Sequence, residues 1–220
     1  MTKLLEIGTR RELFVDDYLV DRLIDTSFHL HSPIRREVVF QVRAPLENAC
    51  TGCYNFTRDG DRILVYYRGV YPIGEQGADL GERQTTNLLT SIDGITFERP
   101  NLGLIDDGSN NILNRGIHAH NFCTFLDRKP GITPDERFKA VGGVGKDSLY
   151  GFVSSDGLNW AKVQEEPLHI TGAFDSVNVP LWDPHAQCYR IFSRHFAETP
   201  NGMIRAIQSC ASDDFIHWNE

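Results

Sequence analysis

The chain has 220 residues, 40% of them hydrophobic, with 30 acidic against 22 basic side chains and a formal charge of -8. That length can bury a sizeable core, whereas the negative balance, relieved only by the pairs Arg10-Arg11 and Arg35-Arg36, argues against a nucleic-acid partner. No stretch approaches the length of a membrane span, and the first eleven residues lack the apolar core of a secretion signal, so the expectation is a cytoplasmic protein with no membrane partner.

In chain order, residues 11–21 are rich in β formers and read as an entry strand and turn, and residues 38–42 as a further short strand. A loop over 43–48 leads into a strand at 53–57, which the Asp59-Gly60 hairpin signal joins to a partner at 63–68. After a Gly-rich loop, a third strand at 86–90 runs into the box Ser91-Ile92-Asp93-Gly94-Ile95-Thr96-Phe97. The same order recurs at 120–127, 137–141 and 149–153, closed by Ser154-Ser155-Asp156-Gly157-Leu158-Asn159-Trp160. It recurs again at 176–183, 189–193 and 204–210, closed by Ser212-Asp213-Asp214-Phe215-Ile216-His217-Trp218. Helical periodicity appears nowhere at length.

The box acids Asp93, Asp156 and Asp213 return at intervals of about sixty residues, somewhat longer than familiar propeller-blade repeats of about 40–50. Ser and Asp side chains can bond nearby amides and Asp-Gly supplies positive backbone angles, so each box reads as a structural turn whose aromatic residue packs between blades. The expected fold is all-β, a β-propeller with about three blades, in a single domain over 1–220 with blade units at 31–105, 106–170 and 171–220. Propellers close with at least about four blades. Three units therefore suggest part of a ring, and an open blade face predicts aggregation or self-association.

Five cysteines, at 50, 53, 123, 188 and 210, are an odd count that argues against a closed disulfide framework. Cys50-Thr51-Gly52-Cys53 has the spacing of a zinc or redox pair, yet no second Cys/His pair follows it, and the residues read as structural. No cofactor and no metal site is expected.

Several segments carry a resemblance: the Leu13-Phe14-Val15-Asp16-Asp17 opening, the His31-Ser32-Pro33 step, Arg99-Pro100-Asn101-Leu102-Gly103 after the first box, His120-Asn121-Phe122 with Leu126-Asp127, and Phe174-Asp175-Ser176 with Asn178. From about Arg11 onward the chain resembles the five-bladed β-propeller glycosidases, the architecture of glycoside hydrolase families 32, 43 and 68, and is most similar to bacterial family-32-like N-terminal domains. The resemblance implies a carbohydrate substrate and acids on the innermost strands, pointing into a central funnel.

Glycosidic cleavage needs a proton donor for the leaving oxygen and a second carboxylate that attacks the sugar or activates water. In the segments matching the inner strands, the candidates are Glu47 and Asp175. Glu47 reads equally as a solvated loop carboxylate, and Asp175 also as a turn cap before Asn178. Where the family places a third acid, this chain has His118, His120 and Asn121; two residues apart, the histidines would share one face of a strand and bond sugar hydroxyls. Asn178 joins them as a hydroxyl-positioning residue. Arg68 and Arg194, expected at matching places after the second strands of the first and third units, would pair with the central carboxylates or with substrate. Asp127 and Asp183 end inner strands at turns and read as structural. The leading expectation is a glycosidase acting on an oligosaccharide or fructoside; the alternative is a carbohydrate-binding propeller that has lost the acid triad.

Overall fold

The computed structural model describes residues 5–9, 11–42, 52–70, 83–105, 110–145 and 148–219. Contacts divide the chain into two compact units, Met1–Val38 and Val39–Glu220. In the first unit the expected entry strand is absent. The Asp16 carboxylate accepts the Tyr18 N–H at 3.0 Å and the Val20 N–H donates to the Asp17 carbonyl at 2.9 Å, so paired aspartates close a local turn where β formers had suggested extension. Leu13 and Val15 stay exposed, and among the described residues no strand pairs with this segment. The short strand expected at 38–42 is likewise irregular.

The second unit holds three antiparallel sheets whose strands follow chain order. The first contains β1 (Gly52–Asp59), β2 (Arg62–Val70), β3 (Gln84–Ser91) and β4 (Ile112–Arg115). The second contains β5 (Cys123–Leu126), β6 (Phe138–Gly142), β7 (Tyr150–Ser154) and β8 (Ala161–Lys162). The third contains β9 (Val179–Asp183), β10 (Cys188–Thr199) and β11 (Gly202–Ser212). Among the described residues the helical elements are two single 3-10 turns, Ile117–Ala119 and Pro134–Glu136. β10 and β11 pair from Tyr189–Ser212 out to Thr199–Gly202, well beyond β9, and form a longer hairpin than the apolar runs at 189–193 and 204–210 suggest.

All three boxes fold alike. Ser91 Oγ accepts the N–H groups of Asp93 and Gly94 at 3.2 and 2.8 Å, and Asp93 Oδ1 accepts those of Ile95 and Thr96 at 2.8 and 2.7 Å. Ser154 and Asp156 repeat this with Asp156, Gly157, Leu158 and Asn159. In the third box the acid doing this work is Asp214, which accepts Ile216 N–H and His217 N–H at 2.8 Å each; the expectation of Asp213 is corrected by one residue. After each box one residue returns to the strand before it, as the pairs Thr90–Glu98, Val153–Ala161 and Ala211–Asn219.

Position three of the turn needs a positive φ. Gly157 (φ 78) supplies it, and a Cβ there would meet the Tyr66 hydroxyl at 2.6 Å, so close approach also demands glycine. Phe215 takes φ 70 at the same place, a strained conformation for a side chain, held because its ring is buried against Tyr189 and Trp218 at 5.3 and 5.6 Å.

Partial burial pushes the Asp156 carboxyl up, but the backbone donors of Asn159 and Leu158 and the side chains of Asn159 and Ser154 together outweigh it and hold the group down from 3.8 to about 2. A depressed folded-state value contributes stability that is full above the unfolded value and is lost as pH falls through the folded one. Acid titration of the fold is therefore expected to show a loss of stability from about pH 4 to about pH 2, and Asp156→Asn should flatten that limb in chemical denaturation series.

The sheets pack face to face. β1 contacts β5 and β5 contacts β9, so the first strand of each sheet lies toward its neighbours' first strands. Between the first and second sheets lie Leu64, Tyr66, Leu88 and Phe138, with Trp160 against them. Between the second and third lie Val141, Leu149, Tyr189, Ile191, Phe215 and Trp218. Burying each such side chain is worth about 1.5–3 kcal/mol. The box of one sheet packs back on the preceding sheet: the Tyr66 hydroxyl donates to the Gly157 carbonyl at 2.9 Å, and Lys129 Nζ to the Asp213 carbonyl at 2.6 Å.

Asn55, within a glycosylation-like triplet, belongs to the same packing. Its Oδ1 accepts the Thr124 N–H at 2.9 Å across the sheet boundary. Of the cysteines, Cys53, Cys123, Cys188 and Cys210 form no disulfide among the described residues, and burial, with Cys53 adding, pushes Cys123 up to about 12. Cys50 lies outside the described residues, so the Cys50–Cys53 pair does too.

Candidate functional site

Residues from all three sheets converge just before the first strands of the second and third sheets. The 3-10 turn Ile117–Ala119 and the following His120 and Asn121 lead into β5. Gly142 at the end of β6 lets this turn lie close, since a Cβ there would meet the His118 carbonyl oxygen at 2.3 Å. The residues ahead of β9, Phe174 to Asn178, form a loop rather than the expected strand from 176, because Asn178 folds its amide back: Nδ2 donates to the carbonyls of Phe174 and Ser176 at 3.1 and 3.0 Å. Asn178 is thus buried as the staple of the loop that carries Asp175.

Arg68 and Arg194 lie within β2 and β10, not after them, at equivalent places in register. Arg68 Nη1 donates to Asn121 Oδ1 at 3.0 Å. The Asn121 amide in turn donates to the Asp175 carbonyl at 3.3 Å, and His120 Nε2 meets the same carbonyl at 3.2 Å. A carbonyl only accepts, so Nε2 carries the imidazole proton. The Asp175 carboxylate forms an ion pair with Arg194. Asn121 holds φ 50, a left-handed conformation that Asn tolerates better than most residues.

The expectation that His118 and His120 share a strand face is corrected. Both precede β5, and the 3-10 geometry turns them apart: His118 packs edge-on against Tyr150 at 4.3 Å, while His120 faces the third sheet. Among the described residues no three His, Cys, Asp or Glu side chains gather into a metal-holding group. Glu47, the other expected carboxylate, lies outside the described residues. Sequence reasoning missed Phe196 and Arg205, which extend the site along the hairpin: the Arg194 and Arg205 guanidinium carbons stand 5.1 and 5.9 Å from the Phe196 ring. Alternation along β10 links Phe196 to Arg194, but only the length of the hairpin reveals it.

Desolvation, with the charge of Arg68 second, lowers His120 from 6.5 to about 4. The imidazole is therefore neutral at pH 7 and acts as a hydrogen-bond donor, not a cation. A histidine whose folded value is depressed contributes stability present above the unfolded value and lost as pH falls from about 6.5 to about 4. His120→Gln is expected to remove this dependence, read as denaturation midpoints at pH 7 and pH 5 that move together.

No protein-family model matches the chain, and no curated protein does. Among solved structures it is similar to a proposed glycoside hydrolase from Parabacteroides distasonis, with 17% identity over 79% of this chain and 50% of that one and a TM-score of 0.47. A proposed glycosidase from Bacteroides thetaiotaomicron gives 16% identity over 79% of this chain and 50% of that one, with a TM-score of 0.43. A structure described with the GH130 family of mannoside phosphorylases and glycoside hydrolases gives 14% identity over 80% of this chain and 70% of that one, with a TM-score of 0.34. The chain spans about half the length of the first two.

Proposed function

We propose that the chain is a propeller-type glycosidase of the family 32/43 kind, acting on an oligosaccharide or fructoside at the junction of the three sheets. One observation carries the reading: a single connected set of polar groups, Arg68, Asn121, His120, Asp175 and Arg194, is assembled from three separate sheets around the end of the inner strands. The Asp175 side chain is about half exposed, accessible to a ligand despite its ion pair. A carboxylate bridged to a guanidinium suits the nucleophile or base, not the proton donor. Glu47 is the other carboxylate of the pair on the motif resemblance, with Arg68, Asn121 and His120 orienting hydroxyls.

A second reading, a carbohydrate-binding propeller without turnover, is favoured by His120, which stays neutral in the segment where the resembled family carries a third acid. The two readings part in a panel of chromogenic glycosides and fructans. Release of chromophore or reducing sugar supports hydrolysis, whereas binding in calorimetry without release supports the second reading.

A further inference from the structure

We infer that Gln208 on β11, which lies outside the hydrogen-bonded set of the site, is a positioning residue for it: Gln208 anchors the start of the loop that carries Asp175, and the glycine segment after β6 anchors the middle. The consequence for turnover rests on the glycosidase reading; the anchoring itself does not.

Residues 171–178 form no strand, so the loop is held by partners other than a sheet ladder. At its start, Gln208 Nε2 donates to the Thr171 carbonyl at 2.6 Å and to Ser193 Oγ at 3.2 Å. In its middle, the Phe174 N–H donates to the Gly145 carbonyl at 3.0 Å. Next comes the Asp175 carbonyl, which accepts from His120 and Asn121.

Gln208 is well placed to hold a backbone still. It pairs with Ser193 across the β10–β11 ladder, on the side of Tyr189, Ile191 and Cys210, which packs on the second sheet. Ser193 is buried and Gln208 is only partly exposed. Gly172 lets the chain pass between two fixed groups, since a Cβ there would come within 2.9 Å of the Gln208 amide nitrogen and 2.8 Å of the buried Phe174 ring.

The glycine segment ties both sides of the site to one piece of backbone. The Gly143 N–H donates to the His120 carbonyl at 3.3 Å, two residues before Gly145 receives the Phe174 N–H. Gly143 and Gly145 hold φ 149 and 97, and a Cβ on Gly143 would collide with the Ser148 carbonyl, so the segment needs glycine to take this path. The turn bearing His120 and the loop bearing Asp175 thus share one reference. Gln208 fixes the end of the loop that this reference does not reach. Such precision matters, because a displacement of about 1 Å in a reacting group can cost about a hundredfold in rate.

Two substitutions separate the donor from the shape. Gln208→Glu keeps the outline but, ionised near neutral pH, cannot donate; Gln208→Lys restores a donor. Amide hydrogen exchange over 171–178 and NMR protection of the His120 Nε2–H proton are both read without a substrate. In Gln208→Glu both are expected to exchange about fivefold faster or more, the size of one lost hydrogen bond, while the amides of β10 stay protected. Gln208→Lys should recover most of that protection. On any glycoside that the chain cleaves, kcat of Gln208→Glu is expected to fall about tenfold with KM changed less. Unchanged exchange in Gln208→Glu overturns the inference, as does a loss of protection spread over the whole third sheet, or an unchanged kcat despite faster exchange. A panel from which the wild type releases nothing removes the glycosidase reading, and the exchange result then decides the anchoring by itself.

Discussion

Replacing Asp127 with alanine is expected to destabilise the fold by about 3–5 kcal/mol, the cost of stranding a buried charge. The Asp127 carboxylate and the Lys139 ammonium are 0% and 2% exposed, 3.3 Å apart, and the Tyr189 hydroxyl donates to the same carboxylate from the third sheet. Removing the acid leaves Lys139 with Glu136, whose side chain is half in solvent, and leaves Tyr189 without an acceptor. Burial and the neighbouring carboxylate already push the Tyr189 phenol above its ordinary value, so ionising it offers no escape. The urea midpoint should fall by more than about 1 M. The double change Asp127→Leu with Lys139→Met should recover much of the loss, because apolar replacement of a buried pair is often neutral. Recovery would show that the penalty comes from the stranded charge, not from lost packing.

Asp175→Asn is expected to lower kcat/KM on any substrate the chain cleaves by about 10²–10⁴-fold, the range for removing a positioned acid–base group. The isosteric amide keeps the loop, whose shape depends on Asn178 and on the Asp175 carbonyl rather than on its carboxylate. Unfolding should therefore change little while turnover collapses. Arg194→Ala provides the companion measurement. If the guanidinium positions a working carboxylate, the variant loses kcat more than it raises KM and shifts the acid limb of the pH–rate profile upward. If Arg194 serves only the hairpin, that limb stays in place.

The boxes were readable from sequence because their chemistry is local: a Ser, an Asp and the amides within four residues of it close the turn without help. The expectation of Asp213 in place of Asp214 missed because Phe215 stands where the first two boxes have glycine, and only its burial explains why phenylalanine can take a left-handed φ there. Strand order followed from the hairpin signals. The entry strand did not materialise because β propensity alone makes no sheet without a partner edge.

The site was half legible. Asp175, His120, Asn121, Arg68 and Arg194 could be placed by counting back from the boxes, and they lie in one hydrogen-bonded set. Their connections could not be placed, since Arg68 to Asn121 and Asn121 to Asp175 each span more than fifty residues. The pairing of Asp127 with Lys139 and Tyr189 escaped for the same reason: a strand-ending Asp looks like a turn cap, and Lys129 N–H does bond its other oxygen at 2.9 Å.

The most direct measurement is a crystal structure with an oligosaccharide or fructoside chosen from the panel. The proposal predicts sugar hydroxyls within about 3.2 Å of the Asp175 carboxylate and of the His120 or Asn121 side chains. A sugar bound elsewhere on the three sheets, with that cluster left unengaged, would contradict it.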